Sequence, residues 1–105
     1  MANRILGIDI GNTNIVIAVH DGNSWGDELR VKTRSKKAVS DVCTILKDIK
    51  CDKAVLSSVV PNITGSILEA VRKVVGLEPL VITRDISSML TGWAASSRTS
   101  SWLSR

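Results

Sequence analysis

Hydrophobic positions change their spacing along the chain, and this spacing predicts the secondary structure. Two apolar runs at 5–10 and 15–19 are rich in β-branched residues and enclose a polar stretch at 11–14. Runs of this kind, bounded by turn residues, predict two strands joined by a tight turn. A second turn signal at 21–23 precedes a third predicted strand over about 25–33. Since residues 15–19 are all apolar, we expect both faces of the second strand to be covered.

The apolar spacing then becomes helical in two segments. Ser40 is predicted to cap the first helix, with Asp41 in its first turn and an apolar stripe at Val42, Ile45, Leu46 and Ile49. Pro61 is predicted to begin the second helix and Gly76 to end it, around a stripe at Ile63, Ile67, Leu68, Val71, Val74 and Val75. Short strands are predicted near 54–56 and 80–82. The order β-β-β-α-β-α-β predicts an α/β fold with a mixed sheet covered by helices.

Composition limits the size and the core of this fold. The 105 residues suffice for one small domain, and they exclude a complete two-domain enzyme. Apolar residues make up 44% of the chain, yet Phe and Tyr are absent, so the core must be aliphatic. Since no run approaches the roughly 20 apolar residues of a membrane span, and Asp9 interrupts the N-terminal run, we expect a cytoplasmic protein with no membrane partner.

The two cysteines and the basic residues give little indication of function. Cys43 and Cys51 match neither a disulfide scaffold nor a zinc site, and Cys43 is expected to be a small buried core residue. The formal net charge is +4. Its one cluster is Arg30, Lys32, Arg34, Lys36 and Lys37, and period-2 spacing predicts the first three on one strand face. A solvated edge strand is the simpler interpretation. The alternative is contact with nucleic acid or with a nucleotide phosphate, and nucleic acid is not expected because no aromatic residue is interleaved.

The polar stretch between the first two strands has the composition of a phosphate-binding turn. Asp9-Ile10-Gly11-Asn12-Thr13-Asn14 places a carboxylate at a strand end, followed by a glycine and three short donor side chains. A glycine with positive φ lets backbone N–H groups converge on an anion, and the Asp9 carboxylate could hold Mg²⁺. An ordinary hairpin, in which Asp9 and Asn12 bond their own backbone, explains the same residues equally well.

The wider sequence resembles one family. A strand-turn-strand phosphate loop followed by this element order resembles the first half of the ribonuclease H-like/actin-like ATPase superfamily, which includes hexokinases and Hsp70. Within it, LGIDIGNTNIVIAV, AVLSSVVPNIT and LEPLVIT resemble the N-terminal domain of type III pantothenate kinases over about residues 4–92. Members of that family transfer the γ-phosphoryl group of ATP to pantothenate in the first step of coenzyme A synthesis.

The resemblance implies roles for particular residues. It implies an ATP phosphate-binding stretch at Asp9–Val16, which comprises Asp9, Ile10, Gly11, Asn12, Thr13, Asn14, Ile15 and Val16. In this stretch Asp9 faces Mg²⁺ or phosphate. It also places Ser57 and Ser58 at a strand end near the substrate, although their hydroxyls could instead satisfy that strand end and the start of the helix at Pro61. A monovalent cation (K⁺ or NH4⁺) and a homodimer are further implications of the family.

Two further family signatures are missing from these 105 residues. The general base for pantothenate lies in a Gly-Ala-Asp-Arg segment, and a second phosphate loop carries Asp-Gly-Thr; neither occurs here. We therefore expect residues 1–92 to be an N-terminal ATPase-fold domain that is inactive alone. The Ser- and Trp-rich segment 93–105 is expected to be a non-native or disordered tail. The alternatives are a regulatory module of the same fold, using the basic cluster, and a fragment of a sugar kinase.

Overall fold

Strands and helices follow one another in the predicted order. The structure is a computed structural model that describes residues 4–82. Its elements are β1 (Ile5–Ile10), β2 (Asn14–His20), β3 (Leu29–Lys32), α1 (Ala38–Leu46), β4 (Lys53–Ser58), α2 (Pro61–Ala70, continued by a π-helical turn at Val71–Val75) and β5 (Leu80–Ile82). The predicted segment 93–105 and the part of the predicted domain beyond Ile82 lie outside the described residues.

The sheet is mixed, as the element order predicts. Its strand order is β3-β2-β1-β4-β5. β1 pairs antiparallel with β2 and parallel with β4, while β2 pairs antiparallel with β3 and β4 parallel with β5. Four strands, β1, β3, β4 and β5, therefore point the same way and end at one edge of the sheet, which we call the carboxyl edge. The turn between β1 and β2 lies at this edge too.

One face of the sheet carries the core. Alternate residues of β1 and β2 point to the helices, and all of them are aliphatic: Leu6, Ile8, Ile10, Ile15 and Ile17 are at most 1% exposed. α1 contributes Val42 and Leu46 and α2 contributes Ile67, with Val71 from the π-helical turn, from the predicted stripes. The remaining stripe residues are half-buried and pack against this core. The prediction of an aliphatic core is thus confirmed for residues 4–82.

The opposite face of the sheet carries the polar residues, and we call it the Asp9 face. Gly7 and Asp9 of β1 share it with their register partners Ala18, Val16 and Ser57, because side chains alternate between the two faces along each strand. Val16 and Ala18 are buried here, while α1 and α2 pack on the other side. Residues 15–18 are therefore buried on both faces, as the unbroken apolar run predicts.

The third strand is shorter than predicted. It begins at Leu29, and Trp25 makes only an isolated bridge with His20. Gly26 and Asp27, which lie between, are poor strand formers. The strand also ends at Lys32, so Arg34 lies in the turn that follows. The prediction that Arg34 shares a strand face with Arg30 and Lys32 is therefore wrong.

The first helix begins three residues earlier than predicted. It starts at Ala38, so Ser40 lies inside the helix and makes no cap. Lys37 is the N-cap residue and no side chain caps the helix. Just before it, the Ser35 hydroxyl accepts the Lys37 N–H at 3.1 Å and the Ser35 carbonyl accepts the Ala38 N–H at 3.1 Å. These bonds form the turn before the helix, and Asp41 remains in the first helical turn as predicted.

The predicted boundaries of the second helix are confirmed. Pro61 occupies its first turn, and Gly76 ends the π-helical turn in the left-handed conformation with φ 81°. A salt bridge closes the following connection: the Arg72 guanidinium donates to both carboxylate oxygens of Glu78 at 2.8 and 2.9 Å. This bonding holds the pKa of the Glu78 carboxyl below its usual range.

Both cysteines are free thiols that pack against the edge of the core. Cys43 is half-buried, less enclosed than predicted, and Cys51 is also half-buried. Burial, followed by the charge of Asp52, raises the pKa of the Cys51 thiol. A raised pKa disfavours the nucleophilic thiolate, so Cys51 suits a packing role, like the one that the sequence predicts for Cys43. None of the helices within residues 4–82 has the length and apolar character needed to cross a membrane.

Candidate functional site

The carboxyl edge brings together most of the polar residues singled out in the sequence. Asp9 is the last residue of β1 on the Asp9 face, where it is half-buried between Val16 of β2 and Ser57 of β4. The Ser57 hydroxyl donates to Asp9 Oδ1 at 2.9 Å, and Ser57 is only 2% exposed. A buried hydroxyl therefore fixes one carboxylate oxygen of Asp9.

The turn after β1 has a different backbone from the one predicted. Gly11 does not have positive φ; among the described residues, only Gly22 and Gly76 do. The Gly11 N–H donates to the Asn14 carbonyl at 2.9 Å, and the chain bends at Asn12 and Thr13. These bonds hold Gly11 in an extension of β1, so the reversal of the chain occurs after it.

Thr33, which no sequence motif singled out, holds this turn in place. It follows β3 directly and is 7% exposed. Its hydroxyl donates to the Gly11 carbonyl at 2.8 Å, and its N–H donates to the Thr13 carbonyl at 3.0 Å. Only the strand register, which places Lys32 beside Asn14, could have indicated that the next residue reaches the turn.

The turn keeps donors available to a ligand. Asn12 and Thr13 are exposed, and no acceptor within the described part of the chain takes their backbone N–H groups. Their side chains likewise make no hydrogen bond with residues 4–82. The carbonyls of Gly11 and Thr13 are already bonded to Thr33, so the backbone N–H groups of Asn12 and Thr13 are the donors that the turn offers. Such a group of donors suits an anion.

Ser58 has a different environment from its neighbour Ser57. Its hydroxyl accepts the Val60 N–H at 3.0 Å and lies 2.7 Å from the Thr64 hydroxyl. These contacts join the end of β4 to the first turn of α2. In this structure, then, Ser58 satisfies the strand end and helix start, whereas Ser57 contacts Asp9. Beside them, the Val59 N–H donates to the Ile10 carbonyl at 3.1 Å, which ties the two strand ends together.

Two cations of β3 lie on the Asp9 face. Arg30 lies beside Val16, and Lys32 lies beside Asn14. Arg30 Nη2 contacts the Glu28 carboxylate at 3.0 Å. Arg34, Lys36 and Lys37 instead lie in the turn before α1, so the basic cluster of the sequence is divided between two places.

A divalent cation would find one carboxylate here. Residues 4–82 contain no group of three His, Cys, Asp or Glu side chains able to hold a metal. A single oriented carboxylate beside free N–H donors suits Mg²⁺, which usually keeps several waters and binds through one or two carboxylates together with substrate phosphates. The donor set at Asp9 therefore fits Mg²⁺ held jointly with a phosphorylated ligand.

Solved structures with this fold include enzymes of different activities. The ROK hexokinase of Thermus thermophilus aligns with 90% of this chain and 38% of its own, at TM-score 0.64 and 13% identity. Thermus thermophilus RuvC, solved with a Holliday junction substrate, aligns with 84% of this chain and 69% of its own, at TM-score 0.62 and 14% identity. At such low identity these likenesses establish the fold alone, and they confirm the predicted α/β fold of the ribonuclease H-like/actin-like type.

Sequence comparison identifies the family. The type III pantothenate kinase of Finegoldia magna is 33% identical over 91% of this chain, and that of Bifidobacterium animalis subsp. lactis is 34% identical over 74%. The chain spans only 40% and 34% of the lengths of these two relatives. The family model for type III pantothenate kinase matches residues 5–96. The chain therefore belongs to the type III pantothenate kinase family, as the motifs at Asp9–Val16 and Ser57–Pro61 predict.

Proposed function

We propose that this chain forms the ATP phosphate-binding half of a kinase that phosphorylates pantothenate, the first step of coenzyme A synthesis. Family membership supports the reaction, and one structural observation supports the site. The turn at 11–13, fixed by Thr33, presents free N–H groups beside the oriented carboxylate of Asp9. Phosphoryl transfer depends on positioning and on stabilising charge, and these groups are suited to both.

Each residue of the proposed stretch has a distinct role. Asn12, Thr13 and Asn14 would donate hydrogen bonds to phosphate oxygens, through backbone or side chain. Asp9 would hold Mg²⁺, which offsets phosphate charge when bound. Ser57 orients Asp9 through the 2.9 Å hydrogen bond and thereby keeps the carboxylate aimed along the Asp9 face. Ile10, Ile15 and Val16 are buried and anchor the turn in the sheet.

The relatives contain further parts of the proposed enzyme, in the portions of their sequences that this chain does not cover. The chain spans 34% to 40% of two relatives, and the resemblance assigns the base for pantothenate and the second phosphate loop to the remainder. We propose that the 105-residue chain binds nucleotide without turning it over. The homodimer, the K⁺ or NH4⁺ requirement and the cytoplasmic location belong to the same proposal, and we assign them no residue of this chain.

The experiment that tests this function compares the chain with a chimaera. In the chimaera, residues 1–92 replace the corresponding N-terminal part of the Finegoldia magna kinase. We expect the chimaera to phosphorylate pantothenate with ATP and the 105-residue chain to show no turnover. Phosphorylation of a sugar in place of pantothenate would instead favour the sugar-kinase alternative. Salt-sensitive binding of duplex DNA by the chain, with no ATP binding, would favour the regulatory module.

Removing the Thr33 hydroxyl should weaken phosphate binding without unfolding the sheet. Thr33→Val keeps the shape of the side chain and deletes the hydrogen bond to the Gly11 carbonyl, whereas Thr33→Ser keeps the hydroxyl. A buried hydrogen bond contributes on the order of 1 kcal/mol, so we expect Mg·ATP affinity to fall about fivefold in the valine variant. Calorimetric titration of both variants measures this effect. Equal affinities for valine and serine would contradict the anchoring role.

A further inference from the structure

We propose that Lys32 contributes a positive charge to the phosphates bound at the turn, as a third component beside the turn's N–H groups and Asp9. This inference rests on the proposed function, because it takes the ligand of the turn to be a nucleotide phosphate. The spacing of the basic residues left Lys32 open to either a solvated strand or a nucleotide-phosphate contact, and the family resemblance gave it no role.

The strand register places Lys32 at the level of the turn. Lys32 is the last residue of β3 and lies beside Asn14, the first residue of β2 after the bend. Arg30, two residues earlier, lies beside Val16, which in turn lies beside Asp9. Since side chains alternate along a strand, Lys32 shares the Asp9 face with these residues. It lies two residue pairs closer to the carboxyl edge than Asp9 does.

The backbone of Lys32 is fixed relative to the turn. The next residue, Thr33, bonds the carbonyls of both Gly11 and Thr13, at 2.8 and 3.0 Å. Lys32 is therefore the direct neighbour in sequence of the residue that makes two hydrogen bonds to the proposed phosphate loop. Its flexible four-carbon stem allows the ammonium group to follow a ligand at the loop.

Charge distinguishes Lys32 from its neighbour Arg30. The Arg30 guanidinium is already engaged by the Glu28 carboxylate at 3.0 Å. Lys32 is exposed and has no ion-pair partner among residues 4–82. Its charge is therefore available at the carboxyl edge, where the turn that contains Asn12 and Thr13 also lies. A polyphosphate carries several negative charges, so it would gain from an ammonium group at this position.

The test compares three single variants of the 105-residue chain. Lys32→Gln removes the charge and Lys32→Arg keeps it. Lys53→Gln is the matched control, because Lys53 lies beside Ile5 on the same sheet face but at the opposite edge. Calorimetric titrations with Mg·ATP and with inorganic tripolyphosphate, each at two salt concentrations, measure affinity and its salt dependence.

We expect Lys32→Gln to bind both probes about fivefold more weakly than the wild type, the scale of one exposed ion pair. Its affinity should also depend less on salt, because one screened attraction is lost. Lys32→Arg and Lys53→Gln should bind within about twofold of the wild type on the same scale.

The outcomes separate this inference from the proposed function. If the wild type binds both probes and Lys32→Gln behaves like Lys53→Gln, the role of Lys32 is overturned while the phosphate site stands. If the wild type binds neither probe at low salt, the proposed phosphate site fails, and the inference about Lys32 is overturned with it.

Discussion

An Asp9→Asn variant is expected to lose the enhancement of ATP binding by Mg²⁺. For the wild-type chain, we expect Mg·ATP to bind at least about tenfold more tightly than metal-free ATP, since a bound divalent ion offsets repulsion between carboxylate and phosphate. For Asp9→Asn, metal-free ATP should bind as well as in the wild type or better, because a negative charge beside the phosphates is gone. Titrations with and without Mg²⁺ measure both effects.

The substitution is chosen to separate charge from structure. Asparagine retains an oxygen that can accept the Ser57 hydroxyl, so the hydrogen bond at 2.9 Å can persist. The variant should therefore unfold at nearly the same urea concentration as the wild type. In the chimaera that tests the proposed function, we expect Asp9→Asn to lower kcat by about a hundredfold or more, the scale of removing one charge-stabilising group.

Asp48→Asn is the matched control for this prediction. Asp48 is exposed just beyond the end of α1, in the connection to the start of β4 and so away from the carboxyl edge. Asp48→Asn changes the net charge by the same amount as Asp9→Asn. We expect Mg²⁺ to enhance ATP binding in this variant as strongly as in the wild type. A loss of equal size in both variants would mean that net charge, and not a metal-binding carboxylate, governs nucleotide affinity.

The elements of the fold could be predicted because local residue types determine them. β-Branched runs form β1 and β2, the apolar stripes face the core, and Pro61 and Gly76 bound the second helical segment as their backbone preferences require. The error at Ser40 has a physical origin. Ser35 forms the turn that precedes α1, and Ser40 lies inside the helix. From the sequence alone, a serine inside a helix cannot be distinguished from a serine that caps it.

The candidate site was only partly predictable, because much of it depends on pairing between distant residues. Asp9 and the following turn are contiguous in sequence, so their composition indicated a phosphate loop. The Ser57–Asp9 bond joins residues 48 positions apart, and the Thr33–Gly11 bond joins residues 22 apart. Only the sheet register brings these partners together. The prediction of positive φ at Gly11 was wrong because the Asn14 and Thr33 bonds fix that residue instead.

The largest loss of stability is expected from Leu56→Ala. Leu56 lies in the middle of β4, is 0% exposed and sits beside Ile8 of β1 and Val81 of β5. Truncating a buried leucine leaves a cavity that neighbouring side chains fill only partly, at a cost of about 2–5 kcal/mol. Stabilities of whole domains are only about 5–15 kcal/mol, and small domains lie at the low end. Urea unfolding followed by circular dichroism measures the change.

Leu80→Ala provides a control with the same chemistry at a different position. Leu80 begins the edge strand β5 and is 59% exposed, so its truncation should cost about 0.5 kcal/mol or less. Leu56→Ala should therefore unfold at a far lower urea concentration than Leu80→Ala, or lack a cooperative transition altogether. Similar midpoints for the two variants would show that the sheet's helix-covered face is not the main source of stability.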